Sequence, residues 1–265
     1  KPKFAWSVFG SLSTLANEVK ELANGNIVKS IGGVSTVAME NQALGSFYGY
    51  KVKGVFSSSA TVDLQKADGT NFKAGDYIIE DVNKDSRIND LDKQVIGSAL
   101  PDAFGNFGTF LSYKKISFNA LFTYSVGNDI YNSFNQQMHS MKDFSNQSPM
   151  VDGRWISEAN QGIGLSRAAL DDPSSNTAAS DLWIEDGSYL RLKNITINYE
   201  IPLPEKMRFL RAMNVYVTAE NLLTFTQYSG MDPEVVTTPD PMLRGIDFGA
   251  SPLPRTYMLG FKMSF

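Results

Sequence analysis

A chain of 265 residues with 42% hydrophobic, 12% aromatic and 20% charged residues is built to fold, and its net charge of -4 offers no basic field to gather nucleic acid. The lack of Cys excludes disulfides and thiolate chemistry, and a single His, His139, argues against His-based triads and most zinc sites. No stretch approaches the ~20 apolar residues of a helical membrane span, so a membrane role would require a barrel of strands.

The chain starts at Lys1 without a Met or signal peptide, which reads as a mature, cleaved or partial polypeptide. Phe4, Trp6 and Val8 alternate with smaller residues and predict a strand near 3–16. A long link follows at 18–102, rich in Gly, Ser, Asn and Asp. In it Tyr48, Tyr50 and Phe56 either line a substrate path or anchor the link to a barrel rim. Further on, Asp81, Asn83, Asp85, Arg87 and Asp92 fall on positions 1, 3, 5, 7 and 12 of a calcium-loop template. That spacing lets oxygens wrap one hard cation, Ca2+ or Mg2+, with Arg87 giving only its backbone carbonyl. Ser86 and Asp92 stand where the template prefers Gly and Glu, and an acidic, solvated turn whose side chains cap its own backbone fits the same residues.

The next strands are expected at 103–113 and 115–128, joined by a tight turn at Lys114-Lys115 that makes them antiparallel. In the second of them Ile116, Phe118, Ala120, Phe122 and Tyr124 share one face, and the other carries Ser117, Asn119, Leu121, Thr123 and Ser125. A second long link, 129–187, holds Trp155 and Trp183, which either stack on a ligand or contact a lid, or pack beneath their own link. His139 sits among Asn135, Gln136 and Gln137 and is expected to be solvated. The carboxylate pairs Asp171-Asp172 and Glu185-Asp186 are expected to be solvated loop groups, because adjacent acids in a strand point to opposite faces of it.

A strand near 188–200 changes phase, with Leu190 and Leu192 on one parity and Ile195, Ile197 and Tyr199 on the other. A bulge near Lys193-Asn194 would bring both sets to one face. After Pro202 and Pro204 a short connection runs to Arg211, with one helical turn expected over Glu205 to Leu210. A strand near 212–227, a third long link at 228–253 and a last strand near 254–265 complete the chain. The last strand sets Tyr257, Leu259, Phe261, Met263 and Phe265 on one face, a barrel-type ending that lipid accepts better than water. Alternation alone fits a soluble sandwich equally well.

Short and long connections alternate strictly, as periplasmic turns and extracellular loops do in outer-membrane barrels. About six strands cannot close a barrel, since the smallest single-chain barrels have ~8, so the chain is expected to be incomplete by itself.

Several ordered segments resemble one family. Phe47-Tyr48-Gly49-Tyr50, Gly75-Asp76 with Asp81 to Asp85, the run Gly187 to Thr196, Glu220 to Glu234 and Pro254 to Phe265 are together similar to the C-terminal barrel region of SusC/RagA-type TonB-dependent outer-membrane transporters. The resemblance implies an all-β fold in which this chain supplies the last six strands of a barrel of about 22, closed over a plug that lies outside it. It also implies a SusD-like surface lipoprotein as lid over the long loops, a TonB complex acting through the missing N-terminal region, and import of an oligosaccharide or peptide. The alternative is a SusC-like barrel that transports nothing and serves as a scaffold. A secreted carbohydrate-active β-protein with a dockerin-like 81–92 loop is disfavoured by the terminal Phe265 and the alternating loop lengths. No catalytic constellation is expected.

Overall fold

The computed structural model describes residues 4–204, 207 and 209–265. Six long strands, β1 (Phe4–Thr14), β2 (Ala103–Tyr113), β3 (Ile116–Val126), β4 (Tyr189–Glu200), β5 (Ala212–Thr226) and β6 (Thr256–Ser264), form one antiparallel sheet with neighbours in chain order. Each falls inside the segment where period-two alternation places it. Among the described residues β1 pairs only with β2 and β6 only with β5, so both edges of the sheet are open.

Register explains the alternation. One row across the sheet runs Val8, Thr109, Ala120, Ile195, Ala219, Tyr257, and the next runs Ser7, Phe110, Asn119, Thr196, Thr218, Met258. Paired residues share a face, so the first row and its alternates make an apolar face that includes Trp6, Val217 and Leu259, all exposed. The opposite face is polar at its centre, where the Thr196 and Thr218 hydroxyls are hydrogen-bonded at 2.9 Å.

The phase change in β4 is a bulge at Lys193. Leu121 pairs with Asn194 and Phe122 with Leu192, which leaves Lys193 without a partner on β3. On the other side Leu192 pairs with Leu223 and Asn194 with Glu220, and Asn221 takes a left-handed φ of 52° where the ladder resumes. Leu192 and Ile195 thereby share the apolar face.

The β2–β3 hairpin pairs Tyr113 with Ile116, and Lys114 adopts a φ of 54° to close it. The other short connection, 201–211, lies at the same end of the sheet. The helical turn expected over 205–210 falls partly on 205, 206 and 208, which lie outside the described residues.

At the other end the three long connections are more ordered than their composition suggests. They fold together around one core made of Val34 and Phe47 from the first, Tyr131, Ala179 and Trp183 from the second, and Ile246 from the third. A four-stranded sheet of Ile27–Ile31, Val34–Ala38, Ser46–Gly49 and Gln94–Gly97 builds the first. A three-stranded sheet links the second, through Asp129–Asn132 and Ile184–Asp186, to Ile246–Asp247 of the third. The first connection also buries a cluster of its own, Phe56, Phe72, Ile79 and Ile88, while the common core draws on all three.

Candidate functional site

Where the sheet meets this body, the third connection crosses the polar face. Arg191 of β4 lies on that face, is 2% exposed, and reaches Asp232 at 2.5 Å. Asp232 also accepts the amides of Glu234 at 2.9 Å and Leu253 at 3.0 Å. Burial opposes ionisation of Asp232, but the Arg191 hydrogen bond and the two amides outweigh it and hold its carboxyl below the usual carboxylate range. Glu234 accepts the Tyr189 hydroxyl at 2.8 Å, so two acids of the third connection are fastened to two neighbouring inner-face positions of one strand.

From Asp232 the connection continues as a strap over a cavity of about 800 Å³. The floor is the polar face of the sheet at Phe104, Thr123, Ser125 and Tyr189, and residues 233–239 form the roof. Farther on, Tyr228 donates to Asp247 at 2.6 Å, and burial with this carboxylate beside it pushes the Tyr228 phenol up. Glu185 accepts from Asn132 at 2.9 Å and from the Ser229 amide and hydroxyl at 2.8 Å, a structural use for one of the carboxylates read as solvated.

A second buried acid joins the first two connections. Asp76, with no exposed surface, accepts from Arg167 at 2.7 Å, Ser174 at 2.6 Å, Asn176 at 3.1 Å and the Lys73 amide at 2.8 Å. The preceding Gly75 has a φ of 86°, and a Cβ there would stand 2.5 Å from the Trp155 ring. Glycine at this position admits both the turn and the indole above it.

The aromatic candidates divide. Trp183 is buried in the common core with His139 packed against it at 5.9 Å between ring centroids, so it packs beneath the connections. Trp155 is half-buried and directs Nε1 to the Ser57 carbonyl at 3.4 Å. Tyr48 and Tyr50 are half-buried, and Lys93 lies over the Tyr50 ring at 5.6 Å. Burial, then the charges of Asp90 and Asp92, push the Tyr50 phenol up to about 12. Phe56 is buried with Phe72, Ile79 and Ile88, so it anchors the first connection. Tyr257 and Phe261 are exposed on the apolar side of the sheet, and Phe265, just past the end of β6, is exposed as well.

His139 departs from expectation. It is 7% exposed, its Nδ1 meets the Asn135 carbonyl at 2.8 Å, and its ring covers Trp183. The short helix α1 (Ser133–Met138), capped by Asn132, turns it inward, an outcome that polar neighbours in sequence conceal.

In the acidic loop the structure brings Asp81, Asn83 and Asp85 together but turns Asp92 away. The Ser86 amide donates to Asp81 at 2.7 Å, the Asp85 amide to Asn83 at 3.0 Å, and the Arg87 amide to Asp85 at 2.8 Å. Asp92 is buried, with its two oxygens on the amides of Val82 at 3.0 Å and Asn89 at 2.8 Å. Among the described residues no three acidic or histidine side chains converge on one ion position.

Sequence reasoning missed the Arg191–Asp232 pair and the cavity beneath the strap. The available signal was an arginine in the polar phase of a strand, together with Asp232 and Glu234 in a connection that returns to the same end of the sheet. The pairing itself is set only by the fold.

No protein-family model matches the chain. Over 99% of its length it is 30% identical to TonB-dependent receptor P3 and 28% identical to TonB-dependent receptor P26, both of Formosa agariphila. Over 79% it is 24% identical to TonB-dependent receptor SusC of Bacteroides thetaiotaomicron. The chain spans 27%, 27% and 20% of those relatives, about a quarter of their length. Its fold matches all of this chain and 28% of a chain in the structure of the RagAB peptide transporter, with a TM-score of 0.73 at 22% identity. The all-β barrel-segment fold and the resemblance of the chain as a whole to SusC/RagA-type TonB-dependent transporters are borne out.

Proposed function

We propose that this chain, which is similar over nearly its whole length to one stretch of the TonB-dependent receptors, SusC among them, forms wall and extracellular connections of a larger outer-membrane barrel that imports a nutrient, an oligosaccharide or a peptide. The observation that carries this reading is the two-faced sheet. Its apolar side leaves Trp6 65%, Phe225 58% and Leu259 78% exposed, while the reverse side presents Ser7, Asn119 and Thr196. In water such a surface is a liability, whereas lipid on one side and a wet lumen on the other suit both faces.

In this reading strands outside the chain pair with β1 and β6 to complete a barrel of about 22 strands around a plug. The ends at Lys114-Lys115 and 201–211 face the periplasm, and the long connections 18–102, 129–187 and 228–253 face outward beneath a SusD-like lipoprotein. Tyr48, Tyr50 and Trp155 are the aromatics left to meet cargo or lid. Energy comes from a TonB complex acting on parts of the protein beyond this chain. For the Asp81–Asp92 loop we favour the self-capped turn over a bound Ca2+ or Mg2+, because its own amides already occupy the carboxylates. Limited proteolysis of the purified protein is then expected to run equally fast with chelator and with added Ca2+; slower cutting near residue 85 with Ca2+ would assign the cation instead.

Cysteine substitution in the full-length protein tests the placement. A membrane-impermeant maleimide on intact cells should label Phe144→Cys, at a side chain 96% exposed on the second connection, and spare Leu259→Cys in the lipid. Lys115→Cys should react only after the outer membrane is breached. Labelling of Lys115→Cys in intact cells would reverse the orientation, and labelling of Leu259→Cys would remove the barrel wall.

A further inference from the structure

The strap over the cavity is pinned at both ends and unused in the middle. Asp232 holds one end through Arg191 at 2.5 Å, and Asp240 holds the other through Lys29 at 2.6 Å. Between them Val235, Val236, Thr237 and Thr238 form no strand, turn or bend and take no positive φ. None of their amides or carbonyls has a hydrogen-bond partner among the described residues. The middle is held by a side chain instead, the Thr237 hydroxyl on the Ile246 carbonyl at 2.5 Å. Four consecutive β-branched residues with the main chain free are the composition and state of a strand without a neighbour.

The surroundings define what fits. Val236 is 84% exposed, and the cavity behind it is lined by Leu15, Pro101, Phe104 and Tyr189. Arg244, at the cavity's edge, is exposed and in no ion pair among the described residues. We infer that residues 235–238 bind an extended polypeptide segment, which adds to the strap as a strand. Its main chain bonds to the free amides and carbonyls, alternate side chains enter the cavity, and an acidic side chain or terminal carboxylate meets Arg244. Donors and acceptors on the strap repeat every two residues, about 6.6 Å, a spacing that another main chain reproduces and a ring of sugar hydroxyls does not. The inference rests on the importer reading and narrows the cargo to peptides.

Hydrogen exchange on the full-length protein in detergent tests it, with short synthetic peptides of randomised sequence as one probe and maltoheptaose as the other. The peptides are expected to slow exchange of the 235–238 amides about tenfold or more, and maltoheptaose to leave them unchanged. Val236→Pro, which removes a donor at the centre of the strap, should weaken peptide binding about tenfold. The same peptides with N-methylated main chains should give no protection even of the parent protein, a readout independent of how the proline variant folds. Slow exchange before any peptide is added would mean that another part of the protein already fills the strap. That result, protection by maltoheptaose, or equal protection by N-methylated peptides would each overturn the inference. The maleimide pattern at Phe144 and Leu259 is separate, so the strap can fail while the wall placement stands, and a failed pattern removes the importer premise itself.

Discussion

Arg191 is the residue on which the mouth of the sheet depends. Its guanidinium is buried beside Asp232, and replacing one member of such a pair strands the other charge, a loss of about 3–5 kcal/mol where it has been measured in other proteins. Arg191→Met is therefore expected to free the third connection, seen as faster proteolytic cutting within 228–240 at neutral pH while β1 to β6 stay protected. The same pair sets a pH dependence. The Asp232 carboxyl is held below its unfolded value, so its contribution is complete above the ordinary carboxylate range and is lost as pH falls through the lowered folded value. Cutting of the strap should thus accelerate only in acid in the parent protein and be less pH-dependent in Arg191→Met. Asp76 is the counterpart for the first two connections, and Asp76→Ala should leave Arg167 without its buried partner and loosen both. Neither pair was legible in the sequence, because 41 and 91 residues separate the partners and no local spacing encodes such a meeting.

The strands were legible for a physical reason that the connections lack. A strand with an apolar and a polar face, as the proposed wall between lipid and lumen requires, must alternate at every residue, so Ile116 to Tyr124 and Tyr257 to Phe265 display their period without help from neighbours. Even the Lys193 bulge showed itself, since the change of parity between Leu192 and Ile195 has no other way to keep both outward. The common core of the connections has no period, being assembled from one to three residues of each, and the sequence made it look like weakly structured loop. The contrast between faces gives a direct test in β6. On the proposed placement Leu259→Arg puts a charge on the lipid side, costing about 2–4 kcal/mol near the midplane, and should reduce assembled protein in the outer membrane. Met258→Arg, one residue away on the opposite face, should assemble at close to the parent level. Equal loss from both would mean that both faces are dry, as in a soluble sandwich.

For the whole molecule the decisive feature is the pair of open edges. Among the described residues β1 and β6 each carry a free ladder of amides and carbonyls, about half of those along each strand, and lipid would offer no partner for them. Six strands tilted as in known barrels would have to curl far more tightly than the ~8 of the smallest closed ones, with Phe9, Phe110 and Tyr216 crowded into the interior. Produced alone and refolded in detergent, residues 1–265 are therefore expected to give oligomers through edge pairing and no compact monomer, read by light scattering and by loss of migration as a single heat-modifiable band. Supplying the remaining strands of the full-length protein should restore a monomeric barrel. A stable, protease-resistant monomer from this chain alone would show that β1 and β6 can meet, and the larger barrel would then have to be given up.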